Sequence, residues 1–328
     1  MSILTSPLKV GDIELRNRVF LAPMSGVSDL PFRQRSWQAG AGMVVSEMIA
    51  SAELCSGAEE SLTRMEGNDL PQHIVQLAGR DALWMARAAE IVQQSNADMI
   101  DINMGCPAKK VIGGYSGAAL MRDLDLAMSL IEEVLKVATV PVSLKMRLGW
   151  DETSMNAPEL AKLAEQAGIA MITVHGRTRM QFYNGKANWD ELARVRDVIS
   201  IPLVANGDIA STKDAEECMR RSGADAVMIG RATYGSPWLV GEIAGHTFDK
   251  DIARYVADHY QAMLDYYGEH IGIRHARKHL DWYLKKHAHG VYTDKERQEL
   301  MTSTQPIHVL SLLSDIFSRE SLDPEEAA

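Results

Sequence analysis

Eight short apolar stretches recur through the first 230 residues of the chain, and segments with helical spacing lie between them. The stretches are rich in Val, Ile, Leu and Met, as buried strands are. The intervening segments, such as residues 81–95 and 125–138, place apolar residues three or four positions apart, which predicts amphipathic helices. The apolar stretches cover residues 19–24, 43–48, 73–79, 99–105, 141–147, 171–178, 202–209 and 226–232.

This alternation predicts the fold class. Strands that alternate with helices pair in parallel through crossover connections. Eight such units favour an α/β fold of the (β/α)8, or TIM-barrel, type. A doubly wound sheet is the alternative, but it usually has fewer strands and a less even rhythm.

The strand pattern stops after about residue 245, and the rest of the chain has helical spacing. Apolar or aromatic side chains recur at Tyr255, His259, Met263 and Tyr266, for example. We therefore predict a small all-α helical domain after the barrel. The predicted domains are residues 1–243 and residues 249–322, with the linker within residues 241–250.

Composition narrows the class of protein. Hydrophobic residues make up 46% and charged residues 24% of the 328, which is typical of a globular protein with a sizeable core. No apolar run is long enough to span a membrane and the N-terminus does not resemble a signal peptide, so we expect a cytoplasmic protein. The three cysteines lack metal-binding spacing, so neither a metal site nor a disulfide framework is expected.

Charge is distributed unevenly. The net charge of −10 argues against wholesale coating of a nucleic acid. Residues 271–290, however, hold five basic side chains against one acidic side chain. A local basic face of this kind can bind a phosphate backbone even in an acidic protein.

Polar residues stand at the ends of six consecutive predicted strands. In a barrel the carboxyl ends of the strands carry the active site, whereas the inward positions elsewhere are aliphatic. Any one of these residues could be a satisfied structural group, but six strands in a row are hard to explain by packing alone. The residues are Gln76, Asn103, Cys106, Lys145, Arg147, His175, Arg177, Asn206, Gly207, Asp208, Gly230 and Arg231.

Glycine turns after the last two strands predict a phosphate site. Backbone N–H groups at this place commonly bind phosphate in barrels, and Arg231 stands beside the second turn. No GxGxxG follows a strand, so the sequence favours FMN over a dinucleotide. Lys145 and His175 are then expected near the flavin ring as cations. Ser28 or Asp29 is expected to cap the helix that follows the first strand.

Taken together, the motifs resemble those of the tRNA-dihydrouridine synthases, most closely the bacterial B-type. The resemblance covers about residues 8 to 240 and extends more loosely into "RHARKHLDWYL". It implies reduction of the C5–C6 bond of particular uridines in tRNA, by FMN that is itself reduced by NADPH. The motifs are "APMSGVSD", "VQLAG", "DINMGCPAKK", "GGYSGAALM", "SLKMRLGW", "TVHGRTR", "ANGDI" and "MIGRA".

The resemblance also implies roles for individual residues. Cys106 would be the acid that protonates C5 of the uracil after hydride reaches C6 from N5 of the flavin, and Asn103 would help to hold the base. Arg177 would contact tRNA. By their spacing Arg274, Arg277, Lys278 and Lys285 share one broad stripe of the C-terminal helix, with Trp282 and Tyr283 interleaved, which suits contact with tRNA phosphates; an ordinary solvated amphipathic helix is the alternative. The residues that would hold FMN are Pro23, Met24, Ser25, Gln76, Lys145, His175, Asn206, Gly207, Asp208, Gly230 and Arg231.

The chemistry of a thiol agrees with the role of Cys106. A free thiol has a pKa near ~8.5, so it is mostly protonated at neutral pH and can still give up its proton. Lys109 and Lys110 either lower that pKa, contact phosphates or are simply solvated. The alternatives are an FMN barrel that reduces a small molecule, and a tRNA-binding protein without activity. No obligate protein partner is evident from the sequence.

Overall fold

The computed structural model describes residues 2–67, 69–248 and 251–319. Contacts divide the chain into two compact units, and we describe each by itself. The first comprises residues 1–232 and 238–246, and the second comprises residues 233–237 and the chain from residue 247 onward. The sequence places residues 233–237 in the barrel domain, whereas their contacts group them with the helices. Residues 249–250 and 320–322 of the predicted helical domain lie outside the described residues.

The first unit is a parallel barrel, as the sequence predicts. Nine parallel strands pair in the order β4-β3-β11-β10-β9-β8-β7-β6-β5. The strands are β3 (Val19–Leu21), β4 (Met43–Val44), β5 (Ile49–Ala50), β6 (Ile74–Ala78), β7 (Met99–Met104), β8 (Val142–Arg147), β9 (Met171–His175), β10 (Leu203–Asn206) and β11 (Ala226–Ile229).

Nine strands appear in place of eight because the second predicted stretch is interrupted. Its first part, β4, pairs with β3, and β5 pairs with β6. Between them Val45 bridges to Ile74, while the Ser46 hydroxyl accepts the N–H of Gln76. The segment from residue 43 to residue 50 therefore connects to both neighbours and completes the ring.

The amino end of the barrel is covered by a hairpin that the strand count did not include. The antiparallel strands β1 (Leu8–Val10) and β2 (Ile13–Leu15) precede the barrel. Leu8, Val10 and Leu15 pack in one apolar cluster with residues at the start of the barrel strands. This end is closed by aliphatic packing, so polar chemistry is confined to the other end.

The helices of this unit follow from caps and apolar spacing. Asp29, Asp81, Asp123 and Ser211 each accept a backbone N–H at a helix start, so Asp29 is the predicted cap. The helices are α1 (Leu30–Gln38), α2 (Ser51–Cys55), α3 (Glu59–Met65), α4 (Ala82–Gln94), α5 (Lys109–Gly113), α6 (Leu124–Val137), α7 (Ala157–Ala167), α8 (Asp190–Arg196), α9 (Thr212–Ser222) and α10 (Leu239–Ile243). Short 3-10 helices cover Ile3–Thr5, Gly117–Arg122 and Arg231–Thr233.

The second unit is helical. A capping box of Thr293 and Glu296 starts its third helix. Of the predicted apolar face on the first helix, His259 and Met263 are buried, whereas Tyr255 and Tyr266 are only half-buried. Its helices are α11 (Ile252–Tyr267), α12 (Glu269–His287), α13 (Asp294–Thr302) and α14 (Pro306–Phe317). Within the described parts of the chain, no helix has the length and apolar character needed to cross a membrane.

Candidate active site

The polar strand ends meet at the carboxyl end of the barrel. In the register of the sheet, Asn103 is opposite Lys145, Arg147 is opposite His175, and His175 is opposite Asn206. All six predicted positions on β6 to β10 are buried despite their polarity: Gln76, Asn103, Lys145, Arg147, His175 and Asn206. Because they come from five adjacent strands, they form a single site.

Cys106 lies on the loop after β7, and its backbone is held on three sides. Its N–H donates to Oδ1 of Asn103 at 3.0 Å, and its carbonyl accepts the N–H of Ala118 at 3.0 Å. Nε of Arg147 donates to the carbonyl of the preceding Gly105 at 2.9 Å. These hydrogen bonds hold the backbone of the loop, and the thiol is half-buried on it.

The surroundings of the Cys106 thiol favour its protonated form. Burial raises the pKa of Cys106 above its ordinary value, opposed by a backbone hydrogen bond of Ala108 and by the charges of Arg147 and Lys145. The predicted neighbours Lys109 and Lys110 lie on α5 and do not contribute to that pKa. The cations that act on the thiol are therefore those of β8.

A chain of side-chain hydrogen bonds runs behind this loop. Nδ2 of Asn103 donates to Oε1 of Gln76 at 2.7 Å, and Nε2 of Gln76 donates to Oδ2 of Asp101 at 2.6 Å. The other Asp101 oxygen accepts the hydroxyl of Ser143 at 2.6 Å. Burial raises the pKa of Asp101 to about 6. Asp101 was not among the predicted site residues.

Lys145 is a buried cation with one hydrogen-bond partner among the described residues. Its Nζ donates to Oδ1 of Asn206 at 3.2 Å. Burial lowers the pKa of Lys145 to about 8, while the nearby Asp101 carboxylate acts in the opposite direction. Protonated below pH 8, it offers further donors to an anion at the barrel mouth.

The surroundings of His175 favour its neutral form, which argues against the predicted role as a cation. Burial holds the pKa of His175 well below its ordinary value, and the charges of Arg147, Lys145, Arg177 and Arg231 lower it further. Nη1 of Arg177 lies 3.3 Å from Nε2 of His175. Because a guanidinium only donates, Nε2 is the acceptor and the ring proton lies on Nδ1.

Arg177 and Asp208 anchor the loop after β9, which we call the β9 loop (residues 176–189). The buried guanidinium of Arg177 donates to the carbonyls of Asn184 and Gly185 and to Oδ2 of Asp208. Asp208 also accepts the N–H of Ala187 at 2.7 Å. Burial opposes ionisation of Asp208, but these hydrogen bonds outweigh it and lower its pKa. Both side chains are thus engaged within the protein.

Tyr183 brings an exposed aromatic ring next to the cations of the site, which the strand-end pattern could not reveal. The guanidinium carbons of Arg231 and Arg147 lie 4.6 and 5.5 Å from its ring centroid. The His175 ring is 6.4 Å away. Arg147 also donates to the carbonyl of Phe182, so it links the β9 loop to the Cys106 loop.

The residues present fit a flavin with a phosphate. Gly207 has φ +118°, and a Cβ there would lie 2.8 Å from the His175 ring, so this turn needs glycine. At Gly230 a Cβ would lie 3.7 Å from Met24, so the turns that follow β3 and β11 lie close together. Pro23 and Met24 are half-buried and Ser25 is exposed in the turn after β3. Two glycine turns, Arg231 and the buried Lys145 form a site suited to an anionic group.

A cavity of about 440 Å³ opens beside these residues, on the loops after β8 and β9. None of its lining residues is a predicted site residue. It adjoins the site through Thr178, whose carbonyl accepts a hydrogen bond from Arg147. The lining residues are Trp150, Asp151, Glu152, Thr153, Thr178, Met180 and Gln181.

The predicted cations of the second unit differ in their exposure and in the contacts they make within the protein. Arg274 is exposed and Lys278 is half-buried. Arg277 donates to the carbonyls of Thr302 and Ser303 at the end of α13, and Lys285 pairs with Asp281 at 2.6 Å.

The aromatic residues beside these cations are engaged within the second unit. Trp282 stacks on Tyr234 with ring centroids 4.0 Å apart. Tyr283 is 1% exposed, and its hydroxyl lies 2.9 Å from Nδ1 of His259. The prediction that Tyr283 accompanies the cations at a tRNA surface is therefore wrong: its ring belongs to the helical core.

The fold and the site define a (β/α)8 barrel with a thiol, a histidine and the four cations Lys145, Arg147, Arg177 and Arg231 at its carboxyl end. The chain belongs to the dihydrouridine synthase family: the family model described as Dihydrouridine synthase (Dus) matches residues 20–320.

Curated relatives are similar over nearly the whole chain. A "probable tRNA-dihydrouridine synthase" of Rhizobium leguminosarum is 55% identical over 318 residues, 96% of this chain and 100% of that protein. The "tRNA-dihydrouridine synthase B" of Pseudomonas putida is 40% identical over 98% of both chains.

Solved structures share the fold at low identity. TcOYE with pHBA matches with a TM-score of 0.55 at 15% identity, over 74% of this chain and 92% of that one. Morphinone reductase matches with a TM-score of 0.53 at 15% identity, over 75% of this chain and 91% of that one. The predicted barrel is confirmed, and the resemblance to the dihydrouridine synthases is confirmed by the family match.

Proposed function

We propose that this protein reduces the C5–C6 bond of specific uridines in tRNA to give 5,6-dihydrouridine. The observation that carries the proposal is the half-buried Cys106 thiol, on a loop that Asn103 and Arg147 hold at the barrel mouth. Reduction adds a hydride and a proton across the double bond. A thiol kept protonated by burial is suited to supply that proton to C5.

FMN, reduced by NADPH, would supply the hydride that adds to C6 of the uracil when it is bound at the barrel mouth. Gly207, Gly230 and Arg231 would hold its phosphate, and Lys145 would lie at its ring. Gln76, Asn206 and the turn Pro23–Ser25 would complete the site. His175 would contribute a neutral ring, which can donate a hydrogen bond from Nδ1 but adds no charge.

Arg177 and Asp208 would act by holding the β9 loop in place. Their hydrogen bonds are made within the protein, so we assign them a positioning role and not direct contact with ligands. That loop carries Tyr183, whose ring and neighbouring guanidiniums of Arg147 and Arg231 suit an unstacked base and its phosphates. Asn103 would hold the Cys106 loop and face the base.

tRNA would reach the site with its target base swung out of the polynucleotide stack. Arg274, which is exposed on α12, is the cation we expect to contribute most to contact with its backbone, together with Lys278 and, to a smaller extent, the internally bonded Arg277 and Lys285. We propose the cytoplasm as the place of action, because tRNA and NADPH are both present there.

The test is mass spectrometry of tRNA after incubation with the purified protein and NADPH. Both an unmodified transcript and tRNA from cells lacking the enzyme are used. We expect one uridine to gain the mass of two hydrogens, and fragmentation to identify its position. Without any gain on either tRNA, the function would move to reduction of a small molecule if the protein is yellow, or to binding alone if it is colourless.

Two cysteine variants test the role of the thiol. We expect Cys106→Ala to lower turnover about 100-fold or more, since general acids contribute in this range. Cys55→Ala is the matched control, because Cys55 is a half-exposed free cysteine whose Sγ contacts the carbonyl of Trp84 on α4, and it should keep full turnover. Near wild-type turnover of Cys106→Ala would remove the thiol from the mechanism.

A further inference from the structure

The hydrogen-bond chain behind Cys106 begins at a carboxylate that the proposed chemistry does not use. Asp101 lies on β7 and is 4% exposed. Its two oxygens accept from Ser143 and from Gln76, both at 2.6 Å. An ionised carboxylate has no donor, so any polar group that faces it must donate.

This requirement sets the direction of the two amides that follow. Because Nε2 of Gln76 faces Asp101, its Oε1 must face Asn103, where it accepts from Nδ2 at 2.7 Å. Asn103 then presents Oδ1 to the N–H groups of Gly105 and Cys106, at 3.1 and 3.0 Å. If both amides were reversed, the NH2 group of Asn103 would face these two backbone donors, and the loop would lose both hydrogen bonds.

We propose that Asp101 is a positioning residue for Cys106: its acceptor-only carboxylate fixes the direction of the Gln76 and Asn103 amides and so holds the Cys106 loop. The effect of this positioning on proton delivery rests on the function proposed above. Its effect on the conformation of the Cys106 loop does not depend on that function. A competing role, in which Asp101 serves only as counter-ion to Lys145, would not act through Asn103.

The experiment measures the rate at which iodoacetamide alkylates Cys106 at about pH 8, where thiolate is the reacting form. Peptide mass spectrometry separates Cys106 from Cys55, which is an internal reference in the same sample. We expect Asp101→Ala and Asn103→Ala to speed alkylation of Cys106 about tenfold, because a released loop exposes the thiol and lowers its pKa. Alkylation of Cys55 should not change.

Asp101→Asn gives a gentler test if the alanine variant does not fold. The new amide can face Gln76 with its oxygen or with its NH2 group, so we expect alkylation about threefold faster than in the wild type. In the Asn103→Ala background, Asp101→Asn should add nothing, since the residue through which it acts is already absent. Ser143→Ala is the matched control and should stay at the wild-type rate, because it leaves the Gln76 contact intact.

Two results would overturn the proposal. One is a wild-type alkylation rate at Cys106 in the folded Asp101 variants. The other is an effect of Asp101→Asn that persists in the Asn103→Ala background, as the counter-ion role predicts. If tRNA is reduced, the Asp101 variants should also lower kcat more than they raise KM. If the protein does not reduce tRNA, the alkylation rates still decide whether Asp101 holds the Cys106 loop.

Discussion

Gly117 offers a direct way to perturb the Cys106 loop without changing any functional group. This residue has φ +60°, and a Cβ built on it would lie 2.8 Å from the carbonyl oxygen of Cys106 and 3.2 Å from its Cβ. Ordinary contact begins at 3.4 Å, so Gly117→Ala must push the two segments apart by about 0.6 Å. That movement would stretch the neighbouring hydrogen bond from the N–H of Ala118 to the carbonyl of Cys106, which is 3.0 Å long.

The expected cost follows from two effects. An alanine in the left-handed region costs about 1–2 kcal/mol. Loss of the hydrogen bond between Ala118 and Cys106 would add about 1 kcal/mol. We therefore expect Gly117→Ala to lower the free energy of unfolding by about 2–3 kcal/mol. Because misplacement by about 1 Å can cost ~100-fold in rate, we expect turnover to fall about tenfold or more.

Urea denaturation and tRNA turnover measure the two effects, with Gly113→Ala as the matched control. Gly113 ends α5 only four residues earlier, and no atom lies within 4 Å of its built Cβ. Alanine there should be neutral or stabilise by up to about 1 kcal/mol, with normal turnover. The reasoning is refuted if both alanine variants have the stability and turnover of the wild type.

Three further predictions concern other parts of the molecule. Arg147→Lys should lower turnover about tenfold and speed proteolysis of the β9 loop, because one ammonium cannot make all three carbonyl contacts; equal proteolysis would contradict this. Burial holds the pKa of His279 well below its ordinary value, so only the unfolded chain takes up its proton. The free energy of unfolding should then fall on acidification below about pH 6.5, and less steeply in His279→Gln; parallel curves would refute it. Arg274→Ala should weaken tRNA binding and reduce its salt slope by about 1, more than Lys285→Ala, whose lysine is paired with Asp281.

The barrel could be predicted because its strands are buried on both faces, so each is a continuous apolar run. The hairpin β1–β2 was not predicted, because strands of three residues are too short to show a recognisable alternation of apolar and polar positions. The second barrel strand was predicted as one stretch, since its interruption depends on Ser46 and Val45 bonding to β6, which is distant in sequence.

The site was predictable where strand position alone decides it. Asp101 and Tyr183 were missed for different reasons. Asp101 lies two residues before a predicted position on the same strand, and its importance depends on partners from β6 and β8. Tyr183 reaches the site from a long loop, whose path is set by Arg177 and Asp208. The lowered pKa of His175 depends on its burial and on four cations from three strand ends, which no local pattern reports.

The helical unit consists of two separate segments, residues 233–237 and the chain from residue 247 onward. This division limits how recombination can transfer the unit between genes. A single genetic crossover near residue 247 would transfer the four long helices but leave Tyr234 behind. Trp282 would then lose the ring on which it stacks, and His287 the carbonyl of Gly235 that it contacts at 2.6 Å. Exchange of this unit between relatives therefore requires two joined segments to move together, so we expect it to diverge with its barrel and not to spread as an independent module.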